Sequence, residues 1–176
     1  MVRRIVILGP ESTGKSTLCE QLAAHYNTLW VPEFAREYLL KNGPSYTYDD
    51  LLIIARRQLA LEDEMAASLH RPLLFVDTDM YVMKIWCEFV FGRCHQWILD
   101  RIIERTYSLY LLCNIDLPWV RDELREYPDL EPRTRLFNIY RDNMINQHVP
   151  WKLISGNNEE RFQTAVTAVN RLLVHY

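Results

Sequence analysis

The sequence predicts an α/β fold: a five-stranded parallel sheet between two layers of helices. Two observations carry that expectation. Short apolar runs alternate with longer amphipathic ones, as in sheets whose parallel strands are buried on both faces and linked by helical crossovers. The first run, Ile5 to Leu8, also ends in a glycine-bounded turn that leads straight into a helical segment. With 176 residues, 49% of them hydrophobic, the chain can bury one core and is short for two. Residues 1–176 therefore read as a single domain.

The elements follow in order. Strands are expected at Ile5 to Leu8, Leu29 to Val31, Leu73 to Val76, Leu109 to Cys113 and Lys152 to Ile154. Helical segments begin at Lys15 and Glu33, run from Asp49 to Leu69, Met80 to Phe91 and Gln96 to Glu104, surround Leu136, and close the chain from Glu159 to Val174. In the longest of these, Leu52, Ala55, Leu59 and Met65 recur near helical spacing, while Arg56, Arg57, Glu62 and Asp63 take the other positions. Gly43-Pro44-Ser45 marks a loop ahead of it. Pro118, Pro128 and Pro132 punctuate a polar stretch after the fourth strand.

Composition excludes some functions. A net charge of -3 offers no global positive field for a polyanion, so nucleic acid is not an expected partner. The apolar start is too short for a signal-peptide core, and Lys84 and Glu88 interrupt the best hydrophobic stretch, so no membrane span is expected. Cys19, Cys87, Cys94 and Cys113 lie far apart in apolar or helical contexts, which suggests buried thiols in a reducing compartment. A cytoplasmic protein is the resulting expectation. Five tryptophans and ten tyrosines supply enough apolar surface for a homodimer.

The turn after the first strand reads Gly9-Pro10-Glu11-Ser12-Thr13-Gly14-Lys15-Ser16, then Thr17. Gly9 and Gly14 allow backbone conformations that turn successive N–H groups inward, and the following helix start adds partial positive charge. Lys15 supplies a full charge for the β and γ phosphates, and the Ser16 hydroxyl is sized to ligate Mg²⁺. Strand before and helix after make this a P-loop for ATP.

Acids at strand ends come next. Asp77, closing the third strand, faces the ligand crevice of such a sheet and suits the Mg²⁺ shell or proton transfer. Asp79 either bonds substrate hydroxyls or caps the next helix. Glu33, after the second strand, can accept a proton from an attacking hydroxyl, with Arg36 one turn on to meet the phosphoryl group; alternatively the two form a surface ion pair. Arg outnumbers Lys 16 to 4, and Arg121, Arg125, Arg133, Arg135 and Arg141 cluster after the fourth strand. A helical lid over about 117–135, with Arg121 and Arg125 on one face, would exclude water and bring cations over the phosphates. A solvated helix laced by Asp122, Glu123 and Glu126 is the plainer reading. Gly156, after the last strand, falls beside the purine or in an ordinary helix cap.

Assembled, these pieces resemble the ribosylnicotinamide kinase domain of NadR-type proteins, among the P-loop nucleoside and nucleotide kinases of the AAA-domain ATPase group. The likeness spans nearly the whole chain. It rests on the P-loop, Pro32-Glu-Phe-Ala-Arg-Glu-Tyr38, Asp77-Thr-Asp79, Lys84, Trp86, Phe91-Gly92, Asp116, Pro118-Trp119, Leu124-Arg125 and Ile154-Ser-Gly156. It implies a sheet in the order 2-3-1-4-5 and ATP-dependent phosphorylation of nicotinamide riboside to the mononucleotide. Glu33 and Asp79 would then address the ribosyl substrate, helped by Phe34, Arg36 and Trp86. Asp77 would serve metal or base, and Arg121 or Arg125 the phosphates. Pro32 stands where some members carry a tryptophan that stacks on the pyridinium, leaving Trp30, Phe34 or Trp86 to take that role. Glu123 replaces a frequent glycine. Bifunctional members add domains that 176 residues do not accommodate, which implies a monofunctional kinase or one part of a larger bifunctional protein. The rival readings are a nucleoside or nucleoside monophosphate kinase, and a regulatory ATPase whose output is partner binding.

Overall fold

The computed structural model describes residues 2–174. Five parallel strands, β1 (Arg3–Leu8), β2 (Leu29–Val31), β3 (Leu73–Asp77), β4 (Leu109–Cys113) and β5 (Trp151–Ile154), form one sheet in the order β2-β3-β1-β4-β5. The order is the one the resemblance implied. Register places Ile7 opposite both Asp77 and Leu111, so the carboxyl ends of the three central strands finish at one level.

Strand alternation sorts the core into two layers. Ile5, Ile7, Phe75, Leu111 and Cys113 meet Leu18 and Leu22 of α1 (Lys15–Tyr26) and Ala165 and Val169 of α7 (Asn158–Val174). Val6, Leu8, Leu74, Val76 and Leu112 face the other way. They pack on Val82 and Ile85 of α4 (Met80–Phe91) and on Leu136, Tyr140 and Met144 of α6 (Leu130–Asn146). Beyond α4, a satellite cluster joins α2 (Phe34–Asn42), α3 (Tyr48–Ala67) and α5 (Gln96–Glu104).

Local chemistry explains where the ends differ from the sequence reading. α3 starts at Tyr48, one residue early, because Thr47 and Asp50 form a reciprocal capping box. Pro132 does not break the chain: it sits in the first turn of α6, where no amide partner is needed. Glu62, expected on the polar side of α3, is buried, with Arg4 of β1 2.9 Å away and the Tyr107 hydroxyl donating to it at 3.0 Å. Cys19, Cys87 and Cys113 are buried and Cys94 half-buried, all as free thiols. Among the described residues, no helix is long and apolar enough to cross a membrane.

The largest departure is the lid. Residues 117–129 contain no helix; the chain there is irregular until α6 begins. Arg121 and Arg125 therefore share no helical face. Carboxylates, rather than a backbone ladder, hold this cover in place.

Candidate active site

The P-loop is built by sterics at its two glycines. Gly9 has φ 139°, and a Cβ there would lie 2.7 Å from the Cys113 carbonyl oxygen, so the loop can press on the end of β4 only without a side chain. Gly14, at φ 76°, turns the chain into α1. Thr13 Oγ1 donates to the Pro10 carbonyl at 2.7 Å and Lys15 Nζ to the same oxygen at 2.9 Å, folding the lysine over the loop. The first-turn amides of α1 have no helical partners, which suits an anion at that helix start.

Ser16 Oγ donates to Asp77 Oδ2 at 2.5 Å. Asp77 is fully buried and its Oδ1 has no hydrogen-bond partner. Burial pushes its carboxyl up, opposed by the Lys15 charge and the Ser16 bond. An orphaned buried carboxylate oxygen next to a hydroxyl suits a hard cation, so Ser16 and Asp77 fit Mg²⁺. Among the described residues, no group of three His, Cys, Asp or Glu side chains could hold a metal unaided. Phosphate oxygens and water would supply the rest of the shell.

Beyond Lys15 opens a cavity of about 310 Å³. The P-loop, Gly9 to Thr17, forms one wall. Glu33 and Arg36 come from the start of α2, Tyr46 from the loop before α3, Ile85, Trp86 and Phe89 from α4, Glu123 to Tyr127 from the cover, and Leu136 and Tyr140 from α6. Burial pushes the Glu33 carboxyl up, the Asp77 charge adds to this, and Lys15 opposes it. Glu33 is held beside Asp77 by a residue the sequence reading missed. Buried Gln58 accepts from the Phe34 amide at 2.7 Å and donates to the carbonyls of Pro32 at 3.2 Å and Asp77 at 3.3 Å.

The cover is latched at four points, one of them the Val120 amide donating to Ser12 Oγ of the P-loop at 3.0 Å. Glu11 of the P-loop accepts from the amides of Glu126 at 3.0 Å and Tyr127 at 2.5 Å, and from Trp119 Nε1 at 3.4 Å. Arg36 pairs with Asp122 at 3.1 Å. The Tyr46 hydroxyl donates to Glu126 at 3.0 Å while accepting from Trp86 Nε1 at 2.9 Å.

The structure thus gathers Gly9, Glu11, Ser12, Thr13, Gly14, Lys15, Ser16, Thr17, Glu33, Arg36, Trp86 and Arg125 around one cavity, with Asp77 directly behind Ser16. Four candidates lie elsewhere. Asp79 caps α4, its Oδ1 accepting from the amides of Tyr81 and Val82 and its Oδ2 from the Tyr110 hydroxyl; burial pushes it up to about 7 against those bonds. Thr78, at φ 80°, turns the chain between the two acids, and Asp79 is not part of the cavity wall. Phe34 packs near Tyr38 instead of facing the cavity. Arg121 is exposed and is not among the residues lining the cavity. Gly156, at φ 94°, serves the loop from outside. Its carbonyl accepts from Arg161, a buried guanidinium that also donates to the carbonyls of Thr13 and Asn114 at 2.9 Å and pairs with Asp116. Arg161 fastens the back of the P-loop to the chain after β4 and β5. No motif marks it, because its partners are remote in sequence.

Fold and site together define a P-loop nucleotide-binding protein of the three-layer kinase type. Residues 4–161 match the AAA domain family AAA_28, to which the chain belongs. It is 28% identical, over 98% of its length, to the trifunctional NAD biosynthesis/regulator protein NadR of Escherichia coli (strain K12), of which it spans 43%. A NadR protein in complex with NR superposes with a TM-score of 0.83 at 20% identity, covering 97% of this chain and 49% of that one. A NadR protein in complex with NAD and AMP-PNP gives 0.74 at 19%, with the same coverage. The likeness to NadR-type proteins expected from the sequence is found.

Proposed function

We propose that the domain is an ATP-dependent kinase that phosphorylates the 5′-hydroxyl of a ribosyl substrate, nicotinamide riboside, to give the mononucleotide. The observation that carries this reading is the acceptor space. Directly beyond the lysine of the phosphate loop lies a covered cavity with Trp86, Tyr46 and Phe89 on its walls and Glu33 and Glu126 among its acids. Aromatic faces and carboxylates suit a planar cation such as a pyridinium. Trp86 is the one of the three candidate aromatic residues that lines this space. The NadR structures with NR and an ATP analogue support the same pairing of ligands.

In this reading Lys15 and the α1 amides hold the ATP phosphates, and Ser16 and Asp77 would hold Mg²⁺, which neutralises phosphate charge when bound. Glu33, lifted by burial and by Asp77, accepts the hydroxyl proton. Arg125 lies on the cavity wall. Excluding water under the cover favours transfer to the hydroxyl over hydrolysis.

The test is product analysis with ATP and, separately, nicotinamide riboside, nucleosides and nucleoside monophosphates. Nicotinamide mononucleotide is the expected product. Phosphorylation of a nucleoside or monophosphate alone would replace the substrate, and slow ATP hydrolysis with no acceptor would favour a regulatory ATPase. Lys15→Ala is expected to remove turnover while leaving the thermal transition in place.

A further inference from the structure

Gln58 is a polar side chain on an apolar face. It shares the inner side of α3 with Leu51, Ile54, Ala55 and Leu59 and is 1% exposed. A buried amide is tolerated where its donors and its oxygen find partners, and here all three do. Oε1 accepts from the Phe34 amide at 2.7 Å, and Nε2 donates to the carbonyls of Pro32 at 3.2 Å and Asp77 at 3.3 Å. Those partners admit one orientation of the group, since an N–H can meet only the oxygen and a carbonyl only the NH₂.

The choice of partners is informative. The Pro32 carbonyl belongs to the peptide group before Glu33 and the Phe34 amide to the one after it, so one side chain holds Glu33 from both sides. The third bond ties that grip to the last residue of β3, whose carboxylate stands behind Ser16. Glu33 is also the N-cap of α2, yet its side chain makes no capping bond. Gln58 satisfies the first amide of that helix instead, which leaves the Glu33 carboxylate to the cavity it lines.

The charges around Glu33 give its placement chemical weight. Burial pushes its carboxyl up and Asp77 of β3 adds to this; Lys15 of α1 and Arg36 of α2 oppose it, and Glu11 of the P-loop reinforces it. Tyr140 of α6 lines the same cavity. The proton affinity of Glu33 therefore depends on how far it stands from Asp77, and Gln58 spans the backbone between them.

We infer that Gln58 is a positioning residue of the phosphotransfer site: by gripping both peptide groups that flank Glu33 together with the Asp77 carbonyl, it sets the separation of the two carboxylates. The inference rests on the reading of Glu33 as proton acceptor and deepens it by naming what aims that acid. Gln58 does not line the cavity, so its effect on rate passes through Glu33.

The experiment is a double-mutant cycle of Gln58→Met, Glu33→Gln and the pair, read as the single-turnover rate of nicotinamide riboside phosphorylation and as affinity for Mg-ATP. Methionine has similar length without the polar atoms. Q58M should lower the rate ~10- to 100-fold, the scale of a misplaced reacting group, while Mg-ATP binds as in wild type. In the E33Q background the same change should cost less than ~2-fold, because the group it aims is gone. The acid limb of the rate profile, where Glu33 takes up its proton, should move to lower pH in Q58M as the acid parts from Asp77 and gains water. Gln58→Asn carries the same amide on a stem one carbon shorter; it should fold, slow transfer and be equally silent in E33Q. Wild-type rates in both Gln58 variants overturn the inference, as does an equal loss with and without the Glu33 carboxylate, or a fall in Mg-ATP affinity as large as the fall in rate. Failure of both variants to fold overturns it too, since the amide would then serve the fold itself. If E33Q keeps the wild-type rate, the reading of Glu33 fails and takes the inference with it; if E33Q is slow and the Gln58 variants are not, the inference fails alone.

Discussion

Removing the Glu11 side chain should release the cover from the phosphate loop. Glu11 is half-buried and accepts two backbone amides of the cover, Glu126 at 3.0 Å and Tyr127 at 2.5 Å, with Trp119 Nε1 more distant at 3.4 Å. Hydrogen bonds to a charged acceptor contribute roughly 1.5–3 kcal/mol each when desolvated. Solvent reaches this site, so about 1 kcal/mol for each amide is the better figure, and about 2 kcal/mol for the pair. At ~1.4 kcal/mol per decade, Glu11→Ala shifts the open-to-closed ratio of the cover by ~30-fold. Asp122 with Arg36 and Glu126 with Tyr46 remain, so the segment loosens without detaching. Amide hydrogen exchange reads this directly. The Glu126 and Tyr127 amides should exchange ~30-fold faster in the variant, while amides of β1 stay unchanged. Wild-type exchange at both positions would show that the carboxylate is a bystander and that something else keeps the cover shut.

Two further substitutions probe the frame of the site. Gly9→Ala places a Cβ 2.7 Å from the Cys113 carbonyl at a φ of 139°, so it should cost about 2 kcal/mol or more in urea unfolding and weaken Mg-ATP binding; an unchanged midpoint would refute the close packing of loop on β4. Asp79→Ala should lower stability by roughly 2–4 kcal/mol through loss of the α4 cap and of the Tyr110 partner, whereas Asp79→Asn keeps the amide acceptor and should retain both fold and turnover. A folded D79N with a raised KM for the acceptor alone would return Asp79 to the substrate site.

The phosphate loop was legible because its chemistry is contiguous: the glycines, lysine and hydroxyl that cradle an anion must follow one another between a strand and a helix. Asp77 and Glu33 were legible for a related reason, since parallel strands deliver their last residues to one edge. The cover was misread because charge at helical spacing looks alike whether it faces water or other parts of the molecule. Asp122, Glu123 and Glu126 were weighed as lacing on a solvated helix, yet Asp122 holds Arg36 and Glu126 holds Tyr46, partners 86 and 80 positions away. Gln58 and Glu62 repeat the problem on α3. Both share the helix face of Leu51, Ile54, Ala55 and Leu59, where their polarity and not their spacing argued for solvent, and both are buried because a distant carbonyl, guanidinium or hydroxyl awaits them. Composition and spacing report what a residue is and which way it faces, but not what it meets. Arg161 makes the distinction concrete: nothing in its helix marks it, and only the carbonyls of Thr13 and Asn114, which it reaches across the molecule, show it to be a tie for the phosphate loop.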